Sequence, residues 1–257
     1  MVNSQETLTM AGRKRPPLVK FTPAETDKLL NFVGYGNLHA PVWFIGMEER
    51  GLGTERLRQR LNFDLVEDLD RAQRLLGVRQ HHMPPVRLEA IWSTMAKTML
   101  MLTHLAPEPA NLRVYQAAQL GRAGGDTLLV QFWPLPAPNL LEWPYEGLFE
   151  QFHNRDEYRR YVKPLRLKML QDLISAQKPP VVICYGKDDW LYYKQLFEWC
   201  EWKSSDHFDY TQCDDTHVYL TPHLLPYLMS DERISQLSHL IRKTSNRIRW
   251  TASSKKG

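Results

Sequence analysis

Cysteine is scarce in this chain of 257 residues, which contains only Cys184, Cys200 and Cys213. None of them stands in a Cys-x-x-Cys pair, the spacing typical of zinc ribbons and of iron–sulfur sites with four cysteine ligands. We therefore expect neither kind of metal centre and no disulfide framework. His81 and His82 have no partner at metal-ligand spacing and are interpreted as a surface loop. The sequence thus predicts no metal site and no cofactor.

Long apolar runs are also missing. No stretch of about 18 apolar residues exists, so no transmembrane helix is expected, and the N-terminus lacks the apolar segment of a signal peptide. These absences favour an intracellular, cytoplasmic protein. The apolar content of 43% and the charged content of 24% are typical of a globular domain and too apolar for a disordered chain.

Acidic residues are nearly absent from the two ends of the chain. Residues 1–20 carry a net charge of +3 and residues 233–257 a net charge of +7, whereas the whole chain is only +4, so the middle is negative at −6. We interpret residues 1–20 as a flexible basic arm, residues 21–249 as a single α/β domain and residues 250–257 as a tail. Basic ends are typical of segments that contact phosphates, and equally of a solvated face.

Three common catalytic or nucleotide-binding motifs are missing as well. The chain has no Gly-x-x-x-x-Gly-Lys phosphate loop and no Gly-x-Ser-x-Gly nucleophile elbow. Gly34 and Gly36 precede an apolar run instead of following it, so they do not form a dinucleotide-binding fingerprint. The sequence therefore gives no support for the chemistries that depend on these motifs.

Four short apolar runs are present, and they predict buried strands at residues 42–45, 126–133, 179–186 and 216–223, with a weaker strand near 207–210. Amphipathic segments separate the runs. We therefore predict an α/β fold with a central four-stranded parallel sheet flanked by helices on both faces. The predicted helices span residues 22–31, 54–76, 88–102, 111–120, a stretch after residue 147 that is interrupted near Pro164, 187–200 and about 231–248.

Two connections between the predicted strands are unusual. Residues 52–125 form a long, helical insertion between the first two strands, and residues 134–147 form a loop rich in proline and aromatic residues. Both connections leave from the carboxyl ends of strands, the edge at which parallel sheets bind their ligands. They are therefore predicted to border the functional site.

The residues that follow the predicted strands suit an active site. Glu48 and Glu49 follow the first strand, and Gln131 lies near the end of the second. His223 follows the fourth. Because the carboxyl ends of parallel strands meet at one edge, a carboxylate, an amide and an imidazole should converge there. Taken singly, each has a plainer interpretation: solvated or capping glutamates, a loop-anchoring amide and a partly buried histidine.

These strand ends, taken in order, resemble the uracil-DNA glycosylase superfamily. GNLHAPVWFIGMEERG at 36–51 is similar to its entry motif, in which Ala-Pro, an apolar strand and a glycine-rich loop follow a glycine. LLVQFWPLPAPN at 128–139 resembles the strand that ends in a base-reading Asn before a proline-rich loop. VVICYGK at 181–187 resembles the strand that ends in Gly-Lys, and VYLTPHLLP at 218–226 keeps the histidine of a final His-Pro-Ser. The resemblance covers residues 34–245 and implies that family's three-layer fold.

The chain departs from the family pattern in the base pocket. GMEERG at 46–51 lacks the family's proline and is one residue longer, Gln131 replaces the Asn, and Leu224 and Leu225 replace Pro-Ser. The cluster cysteines of some branches are missing. These changes weaken the expectation that uracil is the substrate, while the implied reaction is kept.

The resemblance implies a role for each residue at this edge. Glu48, with Glu49 as the alternative, would orient water and stabilise an oxocarbenium-like sugar, and His223 would donate to the departing base. Leu224 or Leu225 would fill the gap that the flipped base leaves. The implied base pocket consists of Gly46, Met47, Gln131 and Phe132. Lys187 would contact the DNA.

The sequence therefore predicts a monofunctional DNA glycosylase that removes a damaged or modified pyrimidine and leaves an abasic site. One version is an antiviral enzyme that excises a bulky modified base from phage DNA, as an anti-phage branch of the superfamily does. The predicted partner is DNA, and the protein is expected to be a monomer with no membrane contact, metal or iron–sulfur cluster. Two alternatives stay open: a non-catalytic nucleic-acid-binding protein on the same fold, and a small-molecule hydrolase on the same sheet.

Overall fold

Eight helices and eight strands make up the part of the chain that the computed structural model describes, residues 19–51, 53–139 and 142–245. The helices are α1 (Pro23–Asn31), α2 (Gly53–Gln59), α3 (Leu69–Leu75), α4 (Ala90–Leu102), α5 (Pro109–Ala118), α6 (Arg155–Gln177), α7 (Trp190–Leu196) and α8 (Asp231–Thr244). The strands are β1 (Gly34–Gly36), β2 (Val42–Arg50), β3 (Val66–Glu67), β4 (Thr127–Ala137), β5 (Val181–Tyr185), β6 (Lys203–Ser204), β7 (Asp209–Cys213) and β8 (Thr216–Thr221). Short 3-10 turns lie at Arg60–Asn62 and Lys187–Asp189.

All eight of these strands join one mixed sheet, in the order β3-β1-β4-β2-β5-β8-β7-β6. The four strands predicted from apolar runs, β2, β4, β5 and β8, form its centre and pair in parallel. The predicted four-stranded parallel sheet is nevertheless corrected, because β1 adds antiparallel to β4 and β7 adds antiparallel to β8. β7 and β8 are joined by a tight turn between Cys213 and Thr216, in which Asp214 adopts a φ of 52°.

Helices cover both faces of the sheet, so the predicted α/β class is confirmed. Side chains alternate along β2: Trp43 and Ile45 face one buried layer, and Val42 and Phe44 face the other. The first layer contains residues of α1, α6 and α7, and the second contains residues of α3, α4, α5 and α8. The insertion at 52–125 therefore supplies much of the second layer.

Capping side chains decide where the first helices begin. Thr22 accepts a hydrogen bond from the Glu25 amide at 3.2 Å, and the Glu25 carboxylate accepts one from the Thr22 amide at 2.8 Å, so α1 starts as predicted. Asp68 accepts from the Arg71 amide at 3.1 Å and starts α3. This second start corrects the predicted single helix at 54–76, which is broken into α2, a 3-10 turn, β3 and α3.

Pro164 does not interrupt α6, contrary to the prediction. A proline inside a helix removes one hydrogen bond and crowds the preceding turn. Tertiary contacts offset this loss, because Arg166, which is 1% exposed, donates to the carbonyls of Phe32 at 2.9 Å and Phe132 at 3.0 Å. The helix is thereby held against the sheet just beyond the proline.

Both β2 and β4 extend past the apolar runs from which they were predicted. β4 continues through Pro134 and Pro136, so the proline-rich loop begins later than expected. β1 pairs with β4 only as far as Val130. Beyond Val130, the edge of β4 that faced β1 has no partner among the described strands, so a proline, which lacks an N–H donor, is tolerated there. The register of β2 shifts just after Glu48, as at a β-bulge. Glu48 and Gln131 therefore lie within strands.

Two expected absences, of a disulfide framework and of a transmembrane helix, can be compared with the structure. Cys200 and Cys213 form a disulfide that joins the segment after α7 to β7, a bond that their spacing does not predict. Cys184 is free and buried. Among the helices described, none is long and apolar enough to cross a membrane.

Candidate functional site at the carboxyl edge of the sheet

The order of the central strands places a topological switch point, where a crevice is expected, at the carboxyl edge of the sheet. From β2 the chain continues to β4 on one side, whereas from the neighbouring strand β5 it continues to β6, β7 and β8 on the other side. Connections that leave in opposite directions open a gap between the carboxyl ends of two neighbouring strands, and ligands bind at such switch points. Ile45 pairs with Cys184, so the next residues, Gly46 and Tyr185, stand on the two sides of this gap.

Gly46 is required at the bottom of the crevice because two side chains crowd it. A Cβ atom there would lie 2.2 Å from the Tyr185 hydroxyl oxygen and 2.8 Å from Gln131 Oε1. Gly46 also pairs with Gln131 in the register between β2 and β4. The bare backbone of Gly46 therefore lets the tyrosine and the amide approach each other above the strand.

His223 lies in the loop after β8 and faces the same crevice. Its ring packs edge-on against Tyr185, with the ring centroids 5.7 Å apart. Burial lowers the pKa of His223 below its usual value, the nearby Arg50 cation adds to the effect, and Glu89 opposes it. The imidazole is therefore neutral at pH 7, and a neutral ring carries one N–H donor and one acceptor.

Two buried polar atoms of this group, Gln131 Oε1 and His223 Nδ1, have no hydrogen-bond partner within the described structure. Such an atom costs about 1–3 kcal/mol, and folded proteins pair nearly all of them. Both atoms belong to residues that contact or adjoin Tyr185, so one flat ligand with polar groups on its edge suits both. Gly46, Gln131, Tyr185 and His223 are called the crevice cluster below.

Glu48 lies two residues after Gly46 on β2 and faces α6. Arg155 Nη1 donates to its two carboxylate oxygens at 2.9 and 3.3 Å. The two side chains are only 11% and 10% exposed. Burial raises the pKa of Glu48 above its usual value, while Arg155 and Arg159 act in the opposite direction. The surroundings therefore disfavour the carboxylate even though it is paired.

Glu49 has a different environment. Its Oε2 accepts from the Tyr35 hydroxyl at 3.0 Å and from the Arg60 guanidinium. Arg60 is buried and also donates to the Pro134 carbonyl at 3.3 Å. This network joins β1, β2 and β4, so the contacts of Glu49 are those of a structural ion pair. Glu48 is therefore the better candidate for chemistry.

A third carboxyl group, Asp189, adjoins Glu48. Its backbone N–H donates to the Gly186 carbonyl at 3.0 Å, and Gly186 adopts a φ of 114° that favours glycine. Burial raises the pKa of Asp189 to about 6; Asp188 and Glu48 add to this effect, and Arg159 opposes it. Asp189, Glu48 and Arg159 are thus close enough for each charge to act on the others.

Two residues do not lie where their predicted roles require. Phe132 is fully buried in the first layer, edge-on to Trp133 and against Tyr192. Because side chains alternate along a strand, it points away from the face that Gln131 occupies. Leu224 is 1% exposed and belongs to the second layer. Both side chains therefore pack in the core, whereas a base contact by Phe132 and a wedge at Leu224 would each need contact with DNA.

The remaining predicted contacts lie nearer to solvent. Met47 and Leu225 are half-buried. Lys187 is exposed, and its ammonium lies 5.7 Å from the centre of the Trp190 ring. Tyr227, in the loop that carries His223, is 77% exposed. This loop therefore presents Tyr227 to a partner more fully than either leucine.

The sequence did not identify Tyr185, Arg155 or Asp189 as part of this edge. Tyr185 is the last residue of an apolar run, and its position directly before Gly186 at a strand end is the signal that marks it. Arg155 is 107 residues from Glu48 along the chain, and nothing in its local sequence marks the contact. Long-range ion pairs of this kind emerge only from the fold.

Some cations near the C-terminus have partners within the fold. Arg233 donates to the Leu228 carbonyl at 2.7 Å, and Arg242 donates to the Met101 carbonyl at 3.1 Å. These two arginines fix α8 and are less available to phosphates than predicted. Most of the predicted basic arm, residues 1–18, and all of the predicted tail lie outside the described residues.

No protein-family model matches the chain, and no curated protein matches it. Within the three described ranges, no group of three or more His, Cys, Asp and Glu side chains is arranged to hold a metal ion. The function of this protein is therefore inferred from the crevice cluster and the ion pairs beside it.

Proposed function

We propose that this protein is a DNA glycosylase that hydrolyses the N-glycosidic bond of a modified pyrimidine after the base has left the helix. The observation that carries the proposal is the pair of unpartnered buried atoms, Gln131 Oε1 and His223 Nδ1, at the switch point of the sheet. A pyrimidine is flat and presents donors and acceptors along its edge, so it suits both atoms. The resemblance of the four strand ends to the uracil-DNA glycosylase superfamily supports the same assignment.

The proposed mechanism divides the developing charges between two residues. As the bond between sugar and base breaks, the sugar becomes positive and the base negative. His223, kept neutral by burial, donates to the departing base and stabilises its negative charge. Glu48 stabilises the sugar cation and accepts a proton from the attacking water, whose oxygen forms the new bond to the sugar carbon.

Release of bases from defined oligonucleotides tests the proposal. Each oligonucleotide carries one pyrimidine (uracil, 5-hydroxymethylcytosine or its glucosylated form), and alkaline strand cleavage reports abasic sites. We expect release of at least one modified base, and a loss of about 100-fold or more in Glu48→Gln and His223→Ala. The exposed control variants Glu150→Gln and His239→Ala should keep full activity. No abasic site on any modified base, or full activity in both crevice variants, contradicts the proposal.

A non-catalytic nucleic-acid-binding role is the second candidate, favoured by the ion pairing of both glutamates. Glu48 is paired with Arg155 and Glu49 with Arg60. This role predicts salt-sensitive binding of DNA without an abasic product, and an affinity that Glu48→Gln leaves unchanged. Measuring DNA binding beside base release separates the two candidates.

A further inference from the structure

Arg159, on α6, has neither a hydrogen-bond partner nor an ion-pair partner among the residues that the structure describes. The residue is half-buried. Its Nε atom is buried, whereas its Nη atoms are not enclosed and reach solvent. A guanidinium carries five N–H donors, and a partly buried charge without a partner costs free energy. Arg159 therefore suits an anion that comes from outside the chain.

The contacts of Arg159 place it close to Glu48. Its guanidinium carbon lies 5.7 Å from the centre of the Trp133 ring, and Trp133 is the residue of β4 that pairs with Glu48 of β2. Arg155, which precedes Arg159 by one helical turn on the same face of α6, donates to Glu48 at 2.9 Å. An anion bound by Arg159 would therefore lie next to a ligand group that contacts Glu48.

Arg155 is less available for an anion than Arg159. Its Nη1 atom donates to Glu48, and its Nη2 atom donates to two backbone carbonyls that precede α6, at 2.7 and 2.8 Å. Lys163, one turn after Arg159, has no ion pair in the described part of the chain, and its ammonium lies 5.1 Å from the centre of the Tyr192 ring. Arg159 and Lys163 therefore supply the uncommitted positive charge on this face of α6.

We propose that Arg159 binds the DNA backbone phosphate beside the nucleotide whose sugar faces Glu48, and that Lys163 adds positive charge one turn along the helix. The inference rests on the proposed glycosylase function. Phosphates are the anions of DNA, two of them flank each sugar, and the planar fork of a guanidinium matches their oxygens. A sugar at Glu48 therefore brings a phosphate within reach of Arg159. The contact positions the nucleotide without reading its base.

The salt dependence of DNA binding tests the contact without any base release. Fluorescence anisotropy with a duplex at several salt concentrations should give a slope of log affinity against log salt that is smaller by about 0.9 in Arg159→Met, because one phosphate contact is lost. Arg159→Lys keeps the charge and should keep the slope. Arg160→Met removes an exposed cation of the same helix and should also keep it. An unchanged slope in Arg159→Met overturns the inference and leaves Arg159 as a counter-charge to Glu48 and Asp189.

Uncharged phosphates test the position of the contact. Each duplex carries the modified base that the base panel selects and one neutral methylphosphonate, placed in turn at each phosphate near that base. For the intact protein we expect kcat/KM of base release to fall about tenfold at one phosphate beside the target nucleotide, and for Arg159→Met no further loss at that position. Equal losses in the two proteins at every position overturn the inference. Absence of release from every duplex overturns the glycosylase proposal instead, while the salt slope still decides the contact.

Inorganic phosphate distinguishes a DNA contact from a site for a free anion. At constant ionic strength, about 10 mM phosphate should shift the melting temperatures of the intact protein and of Arg159→Met equally, because one guanidinium and one ammonium hold a free ion only weakly. A larger rise in the intact protein, together with an unchanged salt slope for the duplex in Arg159→Met, assigns the site to a free phosphate and overturns the inference.

Discussion

Glu48 shows at the scale of one residue how burial and pairing compete. Arg155 donates to its carboxylate at 2.9 Å, yet burial outweighs this attraction, and the pKa of Glu48 is raised. A buried carboxylate whose charge is poorly compensated attracts a developing cation more strongly than a solvated carboxylate does. The same feature that suits Glu48 to a sugar cation therefore costs the folded protein stability.

This cost predicts a pH-dependent effect of Glu48→Gln on stability. The pKa of Glu48 is higher in the folded protein than in the unfolded chain. Wild-type stability therefore falls as pH rises from the unfolded-state pKa to the folded-state pKa. The neutral glutamine avoids this loss, so the variant should gain stability relative to wild type between about pH 4, below the ordinary glutamate pKa of 4.5, and about pH 8, by about 1.4 kcal/mol for each unit of pKa shift. Urea unfolding at both pH values measures the difference. Glu150→Gln, at an exposed position, serves as control, and a pH-independent difference for Glu48→Gln contradicts the prediction.

Sequence reasoning at the residue scale succeeded where chain direction alone decides position. Gly46, Gln131 and His223 meet because the carboxyl ends of parallel strands share one edge. Leu224 was misplaced because its burial depends on how the loop after β8 folds back onto the second layer. Tyr185, which crowds Gly46 together with Gln131, was missed because in the sequence it looks like any other apolar strand residue.

At the scale of elements, Arg166 joins α6 to the sheet that carries Gln131. It is fully enclosed, burial lowers its pKa to about 10, and it donates to the backbone carbonyls of Phe32, Phe132 and Gln131. The helix that supplies Arg155 to the candidate site is therefore fixed to the strand that supplies the amide.

Replacing Arg166 by methionine should lower the free energy of unfolding by about 3 kcal/mol, because four backbone carbonyls, those of Phe32, Phe132, Gln131 and, at 3.4 Å, Leu30, lose a donor while the side-chain volume is nearly kept. Chemical denaturation measures the change. The matched control is Arg160→Met, since Arg160 is an exposed arginine on the same helix. Equal losses in the two variants would show that Arg166 contributes no more than a surface cation.

Apolar runs and caps predicted the elements that are stabilised by local sequence. The runs identify β2, β4, β5 and β8, and the reciprocal bonds of Thr22 and Glu25 mark the start of α1. β1, β3 and β6 span only two or three residues, too few for a periodic pattern, so they depend on their neighbours in the sheet. Pro164 was misread for a similar reason, because the contacts that keep α6 continuous come from distant residues.

For the whole molecule, the structure divides the basic C-terminus into two parts. α8 buries Ile234, Leu237 and Ile241 against the second layer, so removing all of residues 233–257 would also damage the core. Four cations, Arg247, Arg249, Lys255 and Lys256, lie after the described residues. The contribution of the basic end to DNA binding is therefore best tested beyond Ser245.

Ending the chain at Ser245 should weaken DNA binding and flatten its dependence on salt. Each phosphate neutralised contributes about 0.9 to the slope of log affinity against log salt, so four lost cations reduce the slope by about 3 to 4. Fluorescence anisotropy with a duplex at several salt concentrations measures it, and a full-length chain with these four cations changed to glutamine separates charge from length. If neither variant changes the slope, the rest of the chain binds DNA without these four cations. Since residues 21–232 carry a net charge of −6, that binding would have to come from a local cationic face, such as Arg159 and Lys187 beside the crevice.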